Sequence, residues 1–265
     1  MRFPDGNRCL FLPGSGSYMQ GKTDEGASRM RLTLPKQGST MTSQDTDKTG
    51  LDDVLQIDIV SDVVCPWCIV GFKQLEQAIA RTGVSAAIKW HPFELNPDMA
   101  SEGENLREHI MRKYGSSAGQ SQAARDRLTE LGASLGFDFK FTDDMRMVNT
   151  FKAHQLIHWA GESGKEHQLK MSLFEAYFGD RKDLNDNQVL ADVAEGIGLD
   201  RAEALAVLED GRFAETVRAE EAFWTGNGIH GVPAVIFERQ HLVSGAQGAD
   251  NFAAIITELT KGKAA

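Results

Sequence analysis

Cysteine is scarce in this chain: three in 265 residues, at Cys9, Cys65 and Cys68. Three thiols make no disulfide framework, so crosslinks are not what holds the fold. No apolar run approaches the roughly 20 residues that a membrane-crossing helix needs. Basic charge is in deficit, with 28 Lys and Arg against 38 Asp and Glu and a formal net charge of −10. That balance argues against a general nucleic-acid or anionic-membrane surface. Residues 1–50 lack any sustained hydrophobic period and are rich in Gly, Ser, Thr, Lys and Arg. Such a stretch cannot bury enough apolar area to offset its ordering entropy, so residues 1–50 are expected to form a disordered extension. Cys9-Leu10-Phe11-Leu12 is too short for the apolar core of a secretory signal, and no small-residue cleavage site follows it. Asp5, Asp24 and Glu25 weaken a transit-peptide reading, and translation from Met30 or Met41 is an alternative origin for the extension. The expected location is the cytoplasm, and Cys9 is expected to be an exposed thiol without a role.

What is present is 41% hydrophobic, enough for a sizeable core in one large domain or two small ones. The most informative stretch begins as a β-branched apolar run over residues 54–60, near-continuous as in a strand buried on both faces. It leads into Cys65-Pro66-Trp67-Cys68, and a helical pattern with Phe72, Leu75 and Ile79 on one stripe starts at once. The strand thus delivers Cys65 to a helix N-terminus, where free backbone N–H groups and the helix dipole favour an anion and should lower the thiol pKa. Thiolates attack disulfides, and Cys68, one turn further in, is placed to close a disulfide with Cys65 or release a mixed one. Pro66 stands where a missing N–H costs little. Two other readings stay open. A C-x-x-C pair is also half of many zinc sites, and His154 and His158, four apart on an expected helix, would complete a Cys2His2 set. Small core residues are the other reading, and the strand-to-helix placement favours redox work over both.

Further along, residues 86–95 read as a second strand, with Pro92 implying an edge or an early end, and Gly83 stops the intervening helix. A strand–helix–strand unit requires a right-handed crossover and a parallel pair. From 101 to about 223 the period is helical, with stripes such as Leu169/Leu173/Phe174/Phe178 broken at glycines. Strand character returns at 233–237 and 240–245 around a turn at Glu238-Arg239-Gln240, an antiparallel hairpin by its spacing, and a helix is expected over 248–261.

The segment Ser61-Asp62-Val63-Val64-Cys65-Pro66-Trp67-Cys68-Ile69-Val70-Gly71 resembles the active site of the DsbA superfamily, and more narrowly the FrnE-like branch of thioredoxin-fold oxidoreductases. Trp90-His91-Pro92-Phe93-Glu94-Leu95-Asn96-Pro97, Asn149-Thr150-Phe151-Lys152-Ala153-His154 and Gly231-Val232-Pro233-Ala234-Val235-Ile236-Phe237 match the same branch, in its order, over roughly residues 54–260. The resemblance implies an α/β thioredoxin fold with a large all-helical insertion. Residues 51–100 and 224–265 would form the thioredoxin-like domain and 101–223 the insertion domain.

It also implies a thiol–disulfide oxidoreductase or isomerase of the DsbA family. Cys65 would attack and Cys68 resolve, while Pro66, Trp67, Val232, Pro233 and His154 would contact substrate. Val232-Pro233 matches the family's cis-proline loop, which leaves the Val232 backbone free to pair with an extended substrate. No metal or organic cofactor is expected, with glutathione as a candidate recycling thiol. The partners would be protein or small-molecule disulfides and dithiols, not nucleic acid or membrane, and the oligomeric state stays open. In a cytoplasm kept reducing by glutathione, reduction, isomerisation or repair is more plausible than bulk oxidation. Thioredoxins keep a buried carboxylate near the resolving cysteine; Asp58 stands one position away from it and period-two alternation turns it to the other face. Asp62 and Glu94 are the other acid candidates, and Ser244-Gly245-Ala246-Gln247 resembles a family loop near the site. Kappa-type glutathione transferases and 2-hydroxychromene-2-carboxylate isomerases share the helical insertion but usually carry Ser where Cys65 stands, so the Cys65/Cys68 pair argues against that rival. A non-catalytic zinc-binding or chaperone-like module is the third reading.

Overall fold

A computed structural model describes residues 28–29 and 54–261. Its main sheet has five strands: β1 (Ser28–Arg29), β2 (Leu55–Ser61), β3 (Ala86–Pro92), β6 (Ala234–Phe237) and β7 (His241–Ser244), in the order β1-β7-β6-β2-β3. β2 and β3 are parallel, joined by α1 (Pro66–Thr82); the other pairings are antiparallel. This is the thioredoxin arrangement that the sequence predicts, with β3 at an edge and ending at Pro92. The expectation of a disordered extension falls, apart from the two residues of β1, outside the described residues.

β2 carries apolar side chains to both faces, and both are covered. Ile57 and Ile59 face the side where α1 and α9 (Ala249–Thr260) pack together, as the Phe237–Phe252 contact beside Ile57 shows. Asp58 and Val60 face the other side, where Trp224 of α8 (Ala214–Gly226) packs against His91 with the rings tilted and their centroids 4.5 Å apart. Gly83, at φ 68, closes α1 by donating its N–H to the Ile79 carbonyl. The three-residue β6–β7 turn puts Glu238 and Arg239 at φ 52 and 54, in the left-handed region, and the Gln240 N–H closes it on the Phe237 carbonyl at 3.0 Å. Because β6 pairs antiparallel with β2, Val60 opposite Ala234, the segment before β6 runs past the cysteine loop after β2.

Between β3 and β6 lies the helical insertion: α2 (Leu106–Tyr114), α3 (Ala118–Ser134), α4 (Phe151–Gly161), α5 (Glu166–Phe174), α6 (Asn187–Gly196), α7 (Arg201–Asp210) and α8. It is not purely helical. A two-residue ladder, β4 (Glu104–Asn105) with β5 (Arg146–Met147), ties the start of α2 to the approach to α4, and Asn105 also caps α2 through the Glu108 N–H. α5 runs into a π-helical turn over Glu175–Gly179, whose Tyr177 donates its hydroxyl hydrogen to the Arg146 carbonyl at 2.7 Å. Gly132 of α3 allows a close approach of the following loop: a Cβ there would sit 2.7 Å from the Phe137 carbonyl oxygen and drive into the Phe139 ring. Gly132→Ala is therefore expected to cost about 2 kcal/mol in urea unfolding, within the range of overpacked core positions; an unchanged midpoint would show that the α3 loop gives way freely.

Candidate active site

Cys65 is the N-cap of α1, with extended backbone dihedrals and Pro66 at the first helical position, so its side chain stands at the helix N-terminus without a capping hydrogen bond. The Cys68 N–H donates to the Cys65 carbonyl at 3.0 Å, which folds the pair into one turn. Both thiols are free. Cys68 lies fully buried beneath Cys65. Burial, with Cys65 beside it, pushes the Cys68 thiol well up, against the opposing pull of the Asp62 backbone and Lys170. Across from them the Val232-Pro233 bond is cis, and the Cys65 sulfur lies 3.8 Å from the Val232 carbonyl oxygen. Gly71 lets this loop sit close: a Cβ on it would be 3.1 Å from the Pro233 ring.

Behind Cys68 stands a side chain that the sequence reading did not single out. Lys170 of α5 is 1% exposed, donates to the Ser61 carbonyl at 3.2 Å, and holds its ammonium over the Trp90 and Phe174 rings at 5.5 and 5.4 Å. Burial lowers its pKa to about 8, and Cys68, Asp62, Cys65 and Glu166 are the groups that hold it up. The signal was in the stripe: Leu169, Leu173 and Phe174 at helical spacing put Lys170 on the same buried face. Beside Lys170 is a space of about 10 Å³, with His154, Glu166 and Glu220 on its wall. That is room for one water. Burial lifts Glu166, against the pull of Lys89, to about 7.

The acid candidates separate. Asp58 is buried on the far face of the sheet, 2.7 Å from His91 Nε2 and 3.4 Å from Arg239, and the inward position next to it is taken by Ile59. Glu94 is engaged by Arg218 and by Asn149 at 3.0 Å, and burial raises its pKa. Asp62 is buried behind the cysteine loop, accepting from the Leu95 N–H at 2.8 Å and lying 3.5 Å from His154 Nε2. Burial raises the Asp62 carboxyl, but His154, the Leu95 N–H and Lys170 outweigh it and hold it below the usual range. A depressed carboxylate contributes stability above its unfolded pKa of about 3.9 and loses it as pH falls through the folded value. Asp62→Asn should therefore lower unfolding free energy at pH 7 by about 3 kcal/mol, as for a broken buried pair. The deficit should shrink in acid; a deficit equal at both pH values in urea titrations would mean that charge is not its cause.

Pro66, Trp67, Val232 and Pro233 line, with Cys65, a cavity of about 450 Å³ that continues between the thioredoxin-like part and α2–α3. Ser244, Gly245, Ala246 and Gln247 line it too, tied to the loop by the Gly245 N–H donating to the Pro233 carbonyl at 2.8 Å. His154 is placed elsewhere: buried, 3.1 Å from the Phe93 carbonyl, on the side of Asp62 and Lys170. Among the described residues no group of three or more His, Cys, Asp and Glu is placed to hold a metal, and no helix is long and apolar enough to cross a membrane.

Residues 56–257 match the DSBA-like thioredoxin domain family. An uncharacterized protein of Bacillus subtilis, YwbO, is 28% identical over 210 residues, 79% of this chain and 99% of its own length. Among solved structures, a probable DsbA oxidoreductase from Streptomyces coelicolor, SCO1869, superposes with a TM-score of 0.72 at 34% identity, covering 77% of this chain and 89% of its own. A 2-hydroxychromene-2-carboxylate isomerase shares the fold at a TM-score of 0.58 and 15% identity, over 79% of this chain and 98% of its own. With two cysteines at the head of α1, a cis-proline loop facing them and a helical insertion above the sheet, the chain belongs to the DSBA-like thioredoxin family of thiol–disulfide oxidoreductases.

Proposed function

We propose that the chain exchanges thiols and disulfides through Cys65 and Cys68, with a small-molecule disulfide as the favoured substrate. The observation that carries this reading is the placement of Cys65: at the N-cap of α1, 3.8 Å from the Val232 carbonyl, on the wall of a cavity, with Cys68 buried one turn behind. The Cys65 thiolate attacks one sulfur of the substrate; the substrate S–S bond breaks, a Cys65–substrate disulfide forms, and the first thiolate leaves. Cys68 gives its proton to the Lys170 amine and attacks Cys65. The Cys65–Cys68 bond forms and the second substrate thiolate leaves; the reverse sequence oxidises a dithiol.

Lys170 supplies what a buried carboxylate would otherwise do, and the water-sized space toward Glu166 gives the proton a way out. Glutathione is the proposed recycling thiol, and the reducing cytoplasm the proposed compartment. Pro66, Trp67, Val232 and Pro233 shape the substrate's approach, whereas His154 acts through Asp62. Turnover tests the reading: the chain with glutathione, glutathione reductase and a small aryl disulfide should consume NADPH faster than the uncatalysed exchange of glutathione with the disulfide, and a Cys65→Ser chain should not exceed that background. If Cys65→Ser or Cys68→Ser keeps activity on a non-disulfide substrate that requires glutathione, the isomerase or transferase reading takes its place.

A further inference from the structure

The cavity beside Cys65 has a charge character opposite to the chain's. The protein carries a net charge of −10. Yet among the described residues lining the cavity there is no Asp or Glu, while Arg107, Lys113 and Arg125 all line it. These cations are poorly neutralised. Lys113 Nζ is held by two uncharged oxygens, the Leu95 carbonyl at 2.8 Å and the Asn96 side chain at 2.6 Å. Arg107 reaches Asp143 at 3.1 Å and Arg125 reaches the same carboxylate only at 3.5 Å, and Asp143 itself is 73% exposed.

Two buried nitrogens of the same wall have no partner. Arg125 is 9% exposed, and its Nε makes no hydrogen bond although one terminal nitrogen donates to Gln122 at 2.7 Å. His109 is 5% exposed, with Nδ1 on Glu104 at 2.6 Å and Nε2 unpartnered. Buried polar groups are ordinarily satisfied, and unpaired ones cost free energy until something binds them. Leu106, Ile110, Leu128, Phe141 and Phe178 supply an apolar stretch of the same wall, beside the polar Asn96, Ser121, Ser244 and Gln247.

We propose that this cavity selects a small organic disulfide or thiol with an apolar, ring-sized body and a carboxylate. The body lies against the Leu106, Leu128 and Phe178 side, the carboxylate is taken by Arg125 and Lys113, and the sulfur reaches Cys65. A volume of about 450 Å³ falls within the range of small-molecule sites. Arginine in a partly desolvated wall binds a carboxylate through paired N–H donors. This selection rests on Cys65 being the attacking thiol of the proposed function, and it adds the recognition residues and the charge of the substrate.

The test uses the full chain with Cys9→Ser and Cys68→Ala, which leaves Cys65 as the one reactive thiol. Stopped-flow rates are compared for a dianionic aryl disulfide, 5,5′-dithiobis(2-nitrobenzoate), and a neutral one, 4,4′-dithiodipyridine. Arg125→Met should lower the ratio of the dianionic to the neutral rate about tenfold, the loss of one charge-assisted hydrogen-bonded contact. Lys113→Met, at a less buried position, should lower the same ratio in the same direction and guards against a folding defect in the Arg125 variant. The neutral probe corrects for any change in thiolate reactivity. A ratio unmoved by both variants, with Cys65 still reacting, overturns the proposed selectivity and leaves the exchange chemistry standing; a Cys65 that reacts with neither probe overturns both.

Discussion

Cys65→Ala removes thiol–disulfide turnover altogether, on the order of a thousandfold or more, because no other group in the cavity attacks sulfur. Cys68→Ala fails differently. Its Cys65 still reacts, and the chain accumulates as a mixed disulfide one substrate thiol heavier, because the group that resolves it is gone. The difference follows from depth: Cys65 lines the cavity and Cys68 is buried behind it. Intact mass after an acid quench distinguishes the two variants. If Cys68→Ala turned over at the rate of the unmodified chain, resolution would be by an external thiol and the pair would not work as a unit.

Lys170→Met slows the resolving step at neutral pH by about tenfold, the effect of one pKa unit in the attacking thiol. The sign follows from its environment. Lys170 loses its proton near pH 8, so the amine that accepts the Cys68 proton becomes more abundant as pH rises through that value. In the unmodified chain, the mixed disulfide should therefore disappear faster across this window. Without Lys170 the limb should vanish and reappear at higher pH, where the buried Cys68 titrates unaided. Lys170→Arg keeps a charge but offers no base near neutrality, so it should also lose the limb. Stability should fall as well, because Met leaves the buried Ser61 carbonyl without its donor and removes a charge that helps hold Asp62. Quenched-flow mass measurements of the mixed-disulfide lifetime against pH read this directly. A limb that stays near pH 8 in Lys170→Met would assign the proton to another group.

The strand–helix junction at Cys65, the parallel β2–β3 pair and the terminal hairpin were legible in the sequence because each is local. β-Branched runs, a 3.6-residue stripe and glycine stops fix them within a few residues. The cis loop was legible through the resemblance at Gly231-Val232-Pro233, and no local pattern would have shown it. Lys170, His109 and Arg125 were not legible as site residues. Their stripes mark them as buried on α5, α2 and α3, but what those faces meet is decided when the insertion folds back onto β3 and α1. The same holds for Asp58. Alternation on β2 turns it from the cysteines, but its partner His91 comes from a different strand. The β4–β5 ladder is two residues long on each side, too short to leave a period in the sequence.

Equilibration of the full chain across glutathione buffers of graded potential, with thiol trapping and peptide mass, tests the central assignment most directly. Cys65 and Cys68 should convert together, as one two-electron transition from dithiol to intramolecular disulfide, independent of Cys9. A pair that stays reduced across the whole range, or cysteines that take up glutathione separately without ever joining, would contradict it.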